Sequence, residues 1–462
     1  MHGMFILCLL EGSLVLSSFV LVSQLQVSSP DKALAAADPL LSRLQLVSLE
    51  SIAPAIAVML IIITIFYSLG LYGWRHISSG FELVSRLSVG LFLSAPILAV
   101  IYYLIPPSGA LAHVFVNATG AALAMILIVR LLFHSLLGPE AFKRQIVVLG
   151  AGSLAARVAD LAKCRHSGFR CAGFVPLGGE KIEVFDEPPL AKEALAQVIK
   201  DLIIDEIVIA LEDRRNRLPL ECLVDCRLSG VAVSDYTSFC EREMGQVDLD
   251  CLTPSWFFFD SGFQNSALER ALKRTLDIIS SLTLAVFFAP LMILLSVTIM
   301  ASRNGSVFYC QDRVGRGGKI FRMIKFRTMR PEAEEAGAPR WTQVDDNRIT
   351  RLGAFMRRIR MDELPQIFNI LKGDMSLVGP RPEQPEFVEQ LKALLPYYDE
   401  RHRMLPGITG WAQVSFKYAG SFEETKTKLE HDLYYIKHYS IVLDLIIILQ
   451  TIRVVLWGEG AR

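Results

Sequence analysis

Residues 357–382 read RRIRMDELPQIFNILKGDMSLVGPRP, and this stretch decides the fold and the chemistry of the C-terminal part of the chain. Two adjacent carboxylates, Asp362 and Glu363, lie just before Pro365 and an apolar run. Because proline is excluded from a helix interior but tolerated in a first turn, Asp362 is predicted to be the N-cap of a helix. A helix N-terminus favours both a carboxylate and a phosphate group brought to it.

The two carboxylates are surrounded by arginines, namely Arg357, Arg358, Arg360 and Arg381. Guanidinium groups bind phosphate through two parallel hydrogen bonds. A carboxylate held against phosphate by arginines indicates phosphoryl transfer, with the aspartate as nucleophile or metal ligand. The same spacing is typical of an ordinary surface helix with an acidic cap and solvated arginines, so the rest of the sequence has to decide. Of the four arginines, Arg358 and Arg360 are expected to contact lipid headgroups or solvent.

The composition indicates a membrane protein. Of the 462 residues, 52% are hydrophobic, and the mean hydropathy of +0.39 is too high for an ordinary soluble enzyme. The formal net charge is zero, so no overall field recruits nucleic acid. The eight cysteines lack the paired spacing of a zinc site and are expected to be reduced structural thiols. Near the C-terminus, residues 441–457 are apolar with charged interruptions, which indicates an interfacial helix.

Four apolar segments follow one another in the first third of the chain, at residues 5–27, 52–71, 83–105 and 110–133. Each approaches the ~20 residues that a helix needs to cross a hydrocarbon core. The distribution of Lys and Arg in the connections favours both ends of this unit in the cytoplasm. Residues 1–140 are therefore predicted to form a four-helix transmembrane domain.

Residues 141–265 are predicted to form a Rossmann-like α/β domain. A β-branched strand at 145–149 leads into a helix through a G-x-G-x-x-A turn made by Gly150, Gly152 and Ala155. This motif suggests dinucleotide binding, but the fingerprint also requires an acidic residue at the end of the second strand. That strand, at 171–177, ends in Pro176 and Leu177. A regulatory or structural domain is therefore favoured over a redox domain, and the unit is predicted to be a CoA- or nucleotide-binding-like regulatory domain.

Residues 278–301 are apolar throughout, and one interpretation is a fifth crossing helix. Basic residues flank both ends, with Lys273 and Arg274 before the segment, so a crossing helix would place one basic flank outside. Pro290, in the middle, removes a backbone hydrogen bond and allows a kink. The pattern favours a re-entrant helix over residues 275–302 that breaks at Pro290 and returns to the cytoplasmic side.

Five motifs follow one another in the last part of the chain: KFRTM (325–329), MDELPQ (361–366), LKGDMSLVGPRP (371–382), PGITGWAQV (406–414) and DLYYIKHYS (432–440). In order and spacing they resemble the bacterial polyprenyl-phosphate hexose-1-phosphate transferases, also called monotopic phosphoglycosyl transferases. The stretches LTPSWFFFDSGF (252–263) and VVLWGEGAR (454–462) are similar to the large-form subgroup that serves exopolysaccharide loci with exosortase systems. The resemblance implies a membrane α-helical bundle, a Rossmann-like α/β domain and, over residues 266–462, an α/β monotopic phosphoglycosyl transferase domain with a re-entrant membrane helix.

The resemblance also implies a two-step reaction. Asp362 attacks the β-phosphate of a UDP-sugar, expels UMP and carries the sugar phosphate as an acyl phosphate, which undecaprenyl phosphate then accepts. Glu363 would be a metal ligand or proton acceptor, and the cofactor Mg²⁺ would be held by Asp362 and Glu363. The residues that bind phosphate would be Lys325, Arg327, Arg357 and Arg381. Asp432 lies at an acidic position of the family and would assist metal or substrate placement.

The partners implied are a UDP-sugar, undecaprenyl phosphate and the lipid bilayer, with a homodimer left open and no nucleic acid. The implied location is the bacterial inner (cytoplasmic) membrane, as a multi-pass protein with its catalytic domain on the cytoplasmic side. The implied role is the initiating step of exopolysaccharide or related glycan biosynthesis.

One alternative, a nicotinamide-dependent sugar-nucleotide epimerase or dehydratase, requires the acidic ribose anchor and a Y-x-x-x-K pair. A second, a transporter, requires charged residues central in the apolar spans. The sequence favours neither.

Overall fold

The computed structural model describes residues 2–27, 49–68, 87, 90, 94, 110–136, 143–164, 167–177, 204–212, 218–252, 254, 256–257, 266–302, 305–329, 348–416 and 422–457. The chain forms two compact units, Met1–Tyr236 and Thr237–Arg462. The first contains a parallel sheet, and the second contains a helix long and apolar enough to cross a membrane. The predicted membrane segment at 83–105 lies almost entirely outside the described residues, and the three-domain division stays a prediction.

Within the described residues, three long helices begin the first unit: α1 (His2–Val27), α2 (Leu49–Ser68) and α3 (Ala110–Leu136). They occupy the positions of the first, second and fourth predicted apolar segments. The apolar stretches whose side chains are described are Leu9–Val22, Ala55–Phe66 and Asn117–Arg130. Each of these stretches is shorter than a full crossing, so the multi-pass arrangement stays a prediction.

A buried ion pair joins α1 to α3. Arg130 Nη2 donates to Glu11 Oε2 at 2.9 Å, and both side chains are almost fully buried. The Arg130 guanidinium also lies 5.0 Å from the centre of the Phe66 ring on α2. Because an uncompensated charge is costly in an apolar bundle, this pair specifies which faces of α1 and α3 meet.

A four-stranded parallel sheet with the order β2-β1-β3-β4 follows the helices. Its strands are β1 (Arg144–Leu149), β2 (Phe169–Val175), β3 (Glu206–Ile209) and β4 (Ala232–Asp235), with helices α4 (Ser153–Lys163) and α5 (Leu220–Leu228) in the connections. The β-branched run of β1 is fully buried, as expected for a parallel strand covered on both faces. The predicted parallel α/β arrangement is confirmed.

The turn after β1 requires glycine. Gly150 has a φ of +121°, and a Cβ there would lie 2.4 Å from the carbonyl oxygen of Ala210. Beside the turn, Ser153 Oγ donates to Glu212 Oε1 at 2.5 Å, so a carboxylate lies near the start of α4. A pyrophosphate at this helix start, from a dinucleotide or from CoA alike, would meet that negative charge. The regulatory role itself stays a prediction.

The described part of the second unit mixes helices with two small sheets. Its elements are α6 (Tyr236–Met244), α7 (Ala267–Ala301), β5 (Phe308–Val314), β6 (Ile320–Phe326), α8 (Arg351–Arg358), α9 (Gln366–Lys372), β7 (Ser376–Val378), α10 (Pro385–Leu394), β8 (Gly407–Thr409), α11 (Trp411–Ser415), α12 (Phe422–Lys437) and α13 (Ile441–Trp457). Strands β5 and β6 form an antiparallel hairpin, and β7 pairs parallel with β8. The main core packs α12 and α13 against β7.

Helix α7 is, in the described part of the chain, the helix long and apolar enough to cross a membrane. It begins with a capping box, in which the Ser266 hydroxyl and the Glu269 carboxylate each accept from the other residue's backbone N–H. It continues without interruption through Pro290, and the re-entrant course stays a prediction. Its middle is open to the surroundings, since Val286 and Phe287 are 76% and 73% exposed.

Polar contacts hold the first turns of α7 in the unit. Lys273 Nζ donates to Asp444 Oδ2 of α13 at 2.7 Å. Asp277 Oδ1 accepts from Ser376 Oγ and from the backbone N–H of Leu377, both at 2.9 Å. The charged interruption of α13 at Asp444 is therefore buried in protein, and the interfacial position of that helix stays a prediction.

The segment at residues 237–257 belongs to the core of the second unit. The buried Glu241 carboxylate accepts from Trp256 Nε1 and from Lys437 Nζ of α12, each at 2.6 Å. Leu249 and Trp256 lie in the main hydrophobic core. This segment precedes α7 in the sequence and stabilises α12 through these contacts.

Candidate active site

The carboxylate pair lies in a tight turn between α8 and α9. Arg360 has a φ of +56°, which ends the course of α8 and starts a 3₁₀ turn at Met361–Glu363. Pro365 is the N-cap of α9, which begins at Gln366, and no side chain caps this helix. The prediction that Asp362 is the helix N-cap is therefore wrong. The reason is the 3₁₀ turn, which places the proline, with no N–H to satisfy, at the cap position.

Glu363 is the centre of a cluster of cations. Its Oε1 accepts from Arg381 Nη2 at 2.8 Å and from Lys325 Nζ at 3.1 Å, and its Oε2 lies 3.8 Å from Arg360 Nη1. Burial alone would raise the pKa of Glu363, but Arg381, Lys325 and Arg360 together hold that pKa well below its usual range. Glu363 is therefore an anion, and its carboxylate orients the side chains of Arg381, Lys325 and Arg360.

Asp362 has the opposite environment. Its carboxylate is buried, and within the described residues its side chain makes no hydrogen bond. Burial, helped by the neighbouring charge of Glu363, raises the pKa of Asp362 against the opposing effect of Lys325, Arg357 and Arg381. A desolvated carboxylate that no hydrogen bond holds is suited to attack phosphorus or to bind a cation.

The structure brings three of the four predicted phosphate-binding residues to this pair. Lys325, on β6, contacts Glu363, and burial lowers the pKa of its ammonium group while Glu363 opposes that effect. Arg381 also contacts Glu363 directly. Arg357 contributes to the electrostatic field at Asp362, although its Nε donates to Thr328 Oγ1 at 2.9 Å.

The fourth predicted residue, Arg327, has different contacts. Its Nε and Nη2 donate to the backbone oxygen and the hydroxyl of Ser306, at 3.0 and 2.9 Å. These hydrogen bonds join the end of β6 to the loop after α7 and hold the Arg327 guanidinium on that loop. Its role in phosphate binding stays a prediction.

Arg360 lies in the site, contrary to the expectation that it contacts lipid or solvent. Its left-handed backbone conformation turns its guanidinium toward Glu363 Oε2. Arg358, two residues earlier, is exposed as expected. Sequence reasoning missed the role of Arg360 because the turn that redirects it is not visible in the residue spacing.

Asp432 reaches the site through a second arginine. It is buried and accepts from Arg401 Nη2 at 2.8 Å, and the same Nη2 donates to the backbone oxygen of Arg381 at 2.9 Å. Asp432 therefore supports the position of Arg381, whose own side chain contacts Glu363. Arg401 was not identified from the sequence, where it lies in a run of mixed charges, YDERHR, without a motif.

The fit of a divalent cation depends on Asp362. In the described part of the chain no three His, Cys, Asp or Glu side chains are grouped in a way that could hold a metal. Glu363 is already contacted by cations, whereas the buried Asp362 carboxylate has no hydrogen-bond donor among the described residues. One carboxylate, completed by phosphate oxygens and water, is a ligand set that Mg²⁺ accepts.

Residues 268–458 match the model of a protein family described as bacterial sugar transferase. The match runs from α7 to α13 and includes every residue of the site described above.

Three curated relatives illustrate the similarity. The chain is 39% identical over 279 residues to the UDP-N-acetylgalactosamine-undecaprenyl-phosphate N-acetylgalactosaminephosphotransferase of Aeromonas hydrophila, covering 60% of this chain and 63% of that protein. It is 40% identical over 198 residues to the undecaprenyl-phosphate glucose phosphotransferase of Komagataeibacter xylinus, covering 41% and 36%. It is 37% identical over 191 residues to the UDP-glucose:undecaprenyl-phosphate glucose-1-phosphate transferase of Caulobacter vibrioides, covering 41% and 71%. The chain thus spans less than two thirds of the length of the first two relatives.

Proposed function

Because this chain belongs to the bacterial sugar transferase family, as its motifs predicted, we propose that it transfers a sugar 1-phosphate from a UDP-sugar to undecaprenyl phosphate. The product would be the first lipid-linked intermediate of an exopolysaccharide or a related glycan. The observation that carries the proposal is the unlike environment of two adjacent carboxylates. Glu363 is bound by cations, whereas Asp362 is buried beside the same cations with no hydrogen bond of its own among the described residues.

In the first half-reaction the Asp362 carboxylate attacks the β-phosphorus of the donor. A bond forms between an Asp362 oxygen and phosphorus, the bond from that phosphorus to the oxygen of the α-phosphate breaks, and UMP leaves with the electron pair. In the second half-reaction a phosphate oxygen of undecaprenyl phosphate attacks the same phosphorus. The acyl phosphate bond breaks, and the carboxylate is regenerated.

The cations of the site provide the charge that this chemistry needs. Lys325, Arg357, Arg360 and Arg381 outnumber the carboxylates of Asp362 and Glu363, so the site keeps a positive excess for phosphate oxygens. Glu363 and Arg401 hold Arg381 from its side chain and its backbone, respectively. A positioned guanidinium stabilises charge in the transition state without having to reorganise.

Mg²⁺, which the family resemblance implies, would be held by Asp362 together with oxygens of the donor. When bound, it would supply positive charge against the accumulated phosphate charge. The residues of the chain retain their own roles in this scheme: Asp362 forms and breaks the bond to phosphorus, and the surrounding cations orient the phosphate.

The contacts of α7 support the re-entrant arrangement. A straight helix of 35 residues would be about 52 Å long, more than a hydrocarbon core of about 30 Å. Near its start, Arg274 donates to the carbonyl oxygens of Ile370 and Leu371, at 2.6 and 2.8 Å. Near its end, Ile299 packs in a cluster with Phe326. Both ends of the helix therefore contact one compact unit, as expected if the exposed middle enters the membrane and returns to the cytoplasmic side.

The test of the proposed function is UMP release from UDP-sugars by membranes that contain the full chain. Asp362→Asn removes the nucleophile and should abolish release, whereas Asp374→Asn is a matched control. Asp374 makes an exposed ion pair with Lys372, worth at most about 1 kcal/mol, so its loss should leave the rate unchanged. Near-native UMP release by Asp362→Asn would refute the assignment.

The donor panel should include UDP-N-acetylgalactosamine and UDP-glucose. The relatives named above differ in this sugar. The relative rates across the panel measure the sugar preference of this chain.

A further inference from the structure

The segment that carries Arg381 is held through its carbonyl oxygens. Residues 379–383 read GPRPE, and because Pro380 and Pro382 have no N–H, the carbonyl groups are the main backbone atoms by which this segment can be bound. Each carbonyl oxygen from Pro380 to Glu383 accepts a hydrogen bond, and the four donors belong to four different residues. This arrangement gives the Arg381 side chain a defined starting point.

The two outer carbonyl groups of the segment are bound by backbone N–H groups. Gly407, at the start of β8, donates to the oxygen of Pro380 at 2.9 Å. Val314, at the end of β5, donates to the oxygen of Glu383 at 3.0 Å. Both donors lie in strands, so these two points are fixed by the fold itself.

The two inner carbonyl groups are bound by arginine side chains. Arg401 Nη2 donates to the oxygen of Arg381 at 2.9 Å, and Arg313 Nη1 donates to the oxygen of Pro382 at 3.0 Å. A long side chain defines a position only if its own guanidinium group is held in place. The backbone at Arg381 and Pro382 therefore depends on what holds these two arginines.

The Glu383 carboxylate is the anion that lies beside them. Its Oε1 accepts from Lys428 Nζ of α12, and its Oε2 lies 3.6 Å from Arg313 Nη1. Burial alone would raise the pKa of Glu383, but Lys428, Arg401 and Arg313 together lower that pKa to about 2. Glu383 is therefore charged at neutral pH, and it ties Arg313 to α12 through Lys428.

We propose that Glu383 is a positioning residue for Arg381, which acts by holding Arg313 and the backbone that follows Arg381. The inference rests on the proposed function, in which the Arg381 guanidinium stabilises phosphate charge in the transition state. Glu383 forms no bond to phosphorus in this scheme and acts only through other residues. Its effect can still be large, because a displacement of about 1 Å in a positioning group can lower a rate by about 100-fold.

The first test is UMP release by the full chain in nanodiscs, with Glu383→Gln as the variant. This change keeps the shape and an acceptor oxygen but removes the charge that pairs with Arg313 and Lys428. The rate should fall by about tenfold or more at a temperature at which the variant is fully folded. The matched control is Glu389→Gln, the same change at an exposed position of α10, which should keep the wild-type rate.

A double-mutant cycle with Arg381→Lys distinguishes positioning from an independent effect. Lysine keeps the charge but lacks the rigid planar fork of arginine, so it gains little from a fixed backbone. If Glu383 acts through Arg381, adding Glu383→Gln to Arg381→Lys should lower the rate by less than twofold. If Glu383 acts independently of Arg381, the two losses multiply, because independent effects add in free energy.

Binding of UDP gives a second cycle that does not depend on turnover. UDP carries both phosphates of the donor but no sugar to transfer. Its dissociation constant should rise severalfold in Glu383→Gln and should be nearly unchanged when Glu383→Gln is added to Arg381→Lys. If Glu383→Gln does not fold, the double variant Glu383→Gln with Lys428→Met, which removes the ion pair as a unit, takes its place in both cycles.

The positioning role and the proposed function fail in different ways. A wild-type chain that binds UDP but releases no UMP from any donor refutes the function, while the UDP cycle still tests Glu383. A folded Glu383 variant whose rate and UDP affinity both lie within twofold of wild type overturns the positioning role. Losses that multiply in both cycles overturn it too. A wild-type chain that neither releases UMP nor binds UDP overturns both.

Discussion

At the scale of single residues, two neighbouring carboxylates have opposite electrostatic environments. Glu363 has a pKa below its usual range because cations surround it, whereas burial and the charge of Glu363 raise the pKa of Asp362. Adjacent groups whose pKa values are pushed apart are typical of sites where one group reacts and the other organises the surroundings. In the proposed function the reacting group is Asp362, and these contacts favour that choice over Glu363.

Replacement of Glu363 by glutamine tests this division. The substitution removes a like charge that raises the pKa of Asp362, so that pKa should fall. Because the nucleophile must be ionised, activity is lost as pH falls through its pKa, and the acid limb of the pH–rate profile should move to lower pH. At neutral pH the rate should also fall, by on the order of 100-fold, since Lys325 and Arg381 lose the anion that orients them and keep only the neutral amide oxygen as an acceptor.

The measurement is UMP release as a function of pH, with Glu389→Gln, an exposed position on α10, as the control. An acid limb that stays in place or moves to higher pH would contradict the role assigned to Glu363.

At the scale of elements, the course of α7 decides how the site would meet the proposed lipid acceptor. The helix has contacts to one compact unit near both ends and an exposed apolar middle that contains Pro290. Proline removes one hydrogen bond of the helix ladder, which makes a bend at this position inexpensive. A helix that entered and left on one side would keep the carboxylates near the lipid phosphate groups of that side.

Cysteine labelling tests the re-entrant arrangement. Single cysteines at Ser266 and Ser302, before and after α7, should both react with a membrane-impermeant maleimide from the cytoplasmic side. The background needs the exposed thiols of Cys164 and Cys310 replaced by serine. Labelling of the two positions from opposite sides would establish a crossing helix and end the re-entrant proposal.

At the scale of the whole molecule, the division between the two units falls at Tyr236, before the segment that docks on α12. The matched family region begins at residue 268, but the core that supports the site begins earlier, with Leu249 and Trp256. Glu241 adds a buried anion that pairs with Lys437 at the end of α12. Asp432, on the same helix, supports Arg401 and through it Arg381.

Two truncated chains test whether the folded unit begins after Tyr236 or near the start of the family match at residue 268. A chain that begins at residue 237 should keep UMP release within a few-fold of the full chain, since it retains the site and its core. A chain that begins at residue 266 loses the buried Trp256 side chain, whose removal alone costs about 3–5 kcal/mol, and leaves Lys437 without Glu241. It should unfold at a lower temperature and lose activity. Equal melting temperatures and rates for the two chains would show that the segment at 237–257 is dispensable.

Much of the architecture can be predicted from local sequence. The β-branched run before Gly150 predicts a buried parallel strand, and the glycine is required by the close approach of Ala210. The ordered motifs identify the family, and the adjacent carboxylates predict the reacting pair, which stays a prediction. The prediction that Asp362 caps a helix was wrong. Arg360 adopts a left-handed conformation that starts a 3₁₀ turn at Met361–Glu363, and the residue spacing does not reveal this turn.

The sequence by itself determined which groups the chain carries: two neighbouring carboxylates, many arginines and a long apolar helix interrupted by proline. Tertiary structure alone decided which of these groups meet. Lys325 and Arg381 reach Glu363 across 38 and 18 residues, Arg401 reaches Asp432 across 31, and Arg327 is held by Ser306 instead. The physical reason is that charge pairing and desolvation depend on distance in space, and only the packed core brings residues so far apart in sequence within hydrogen-bond distance.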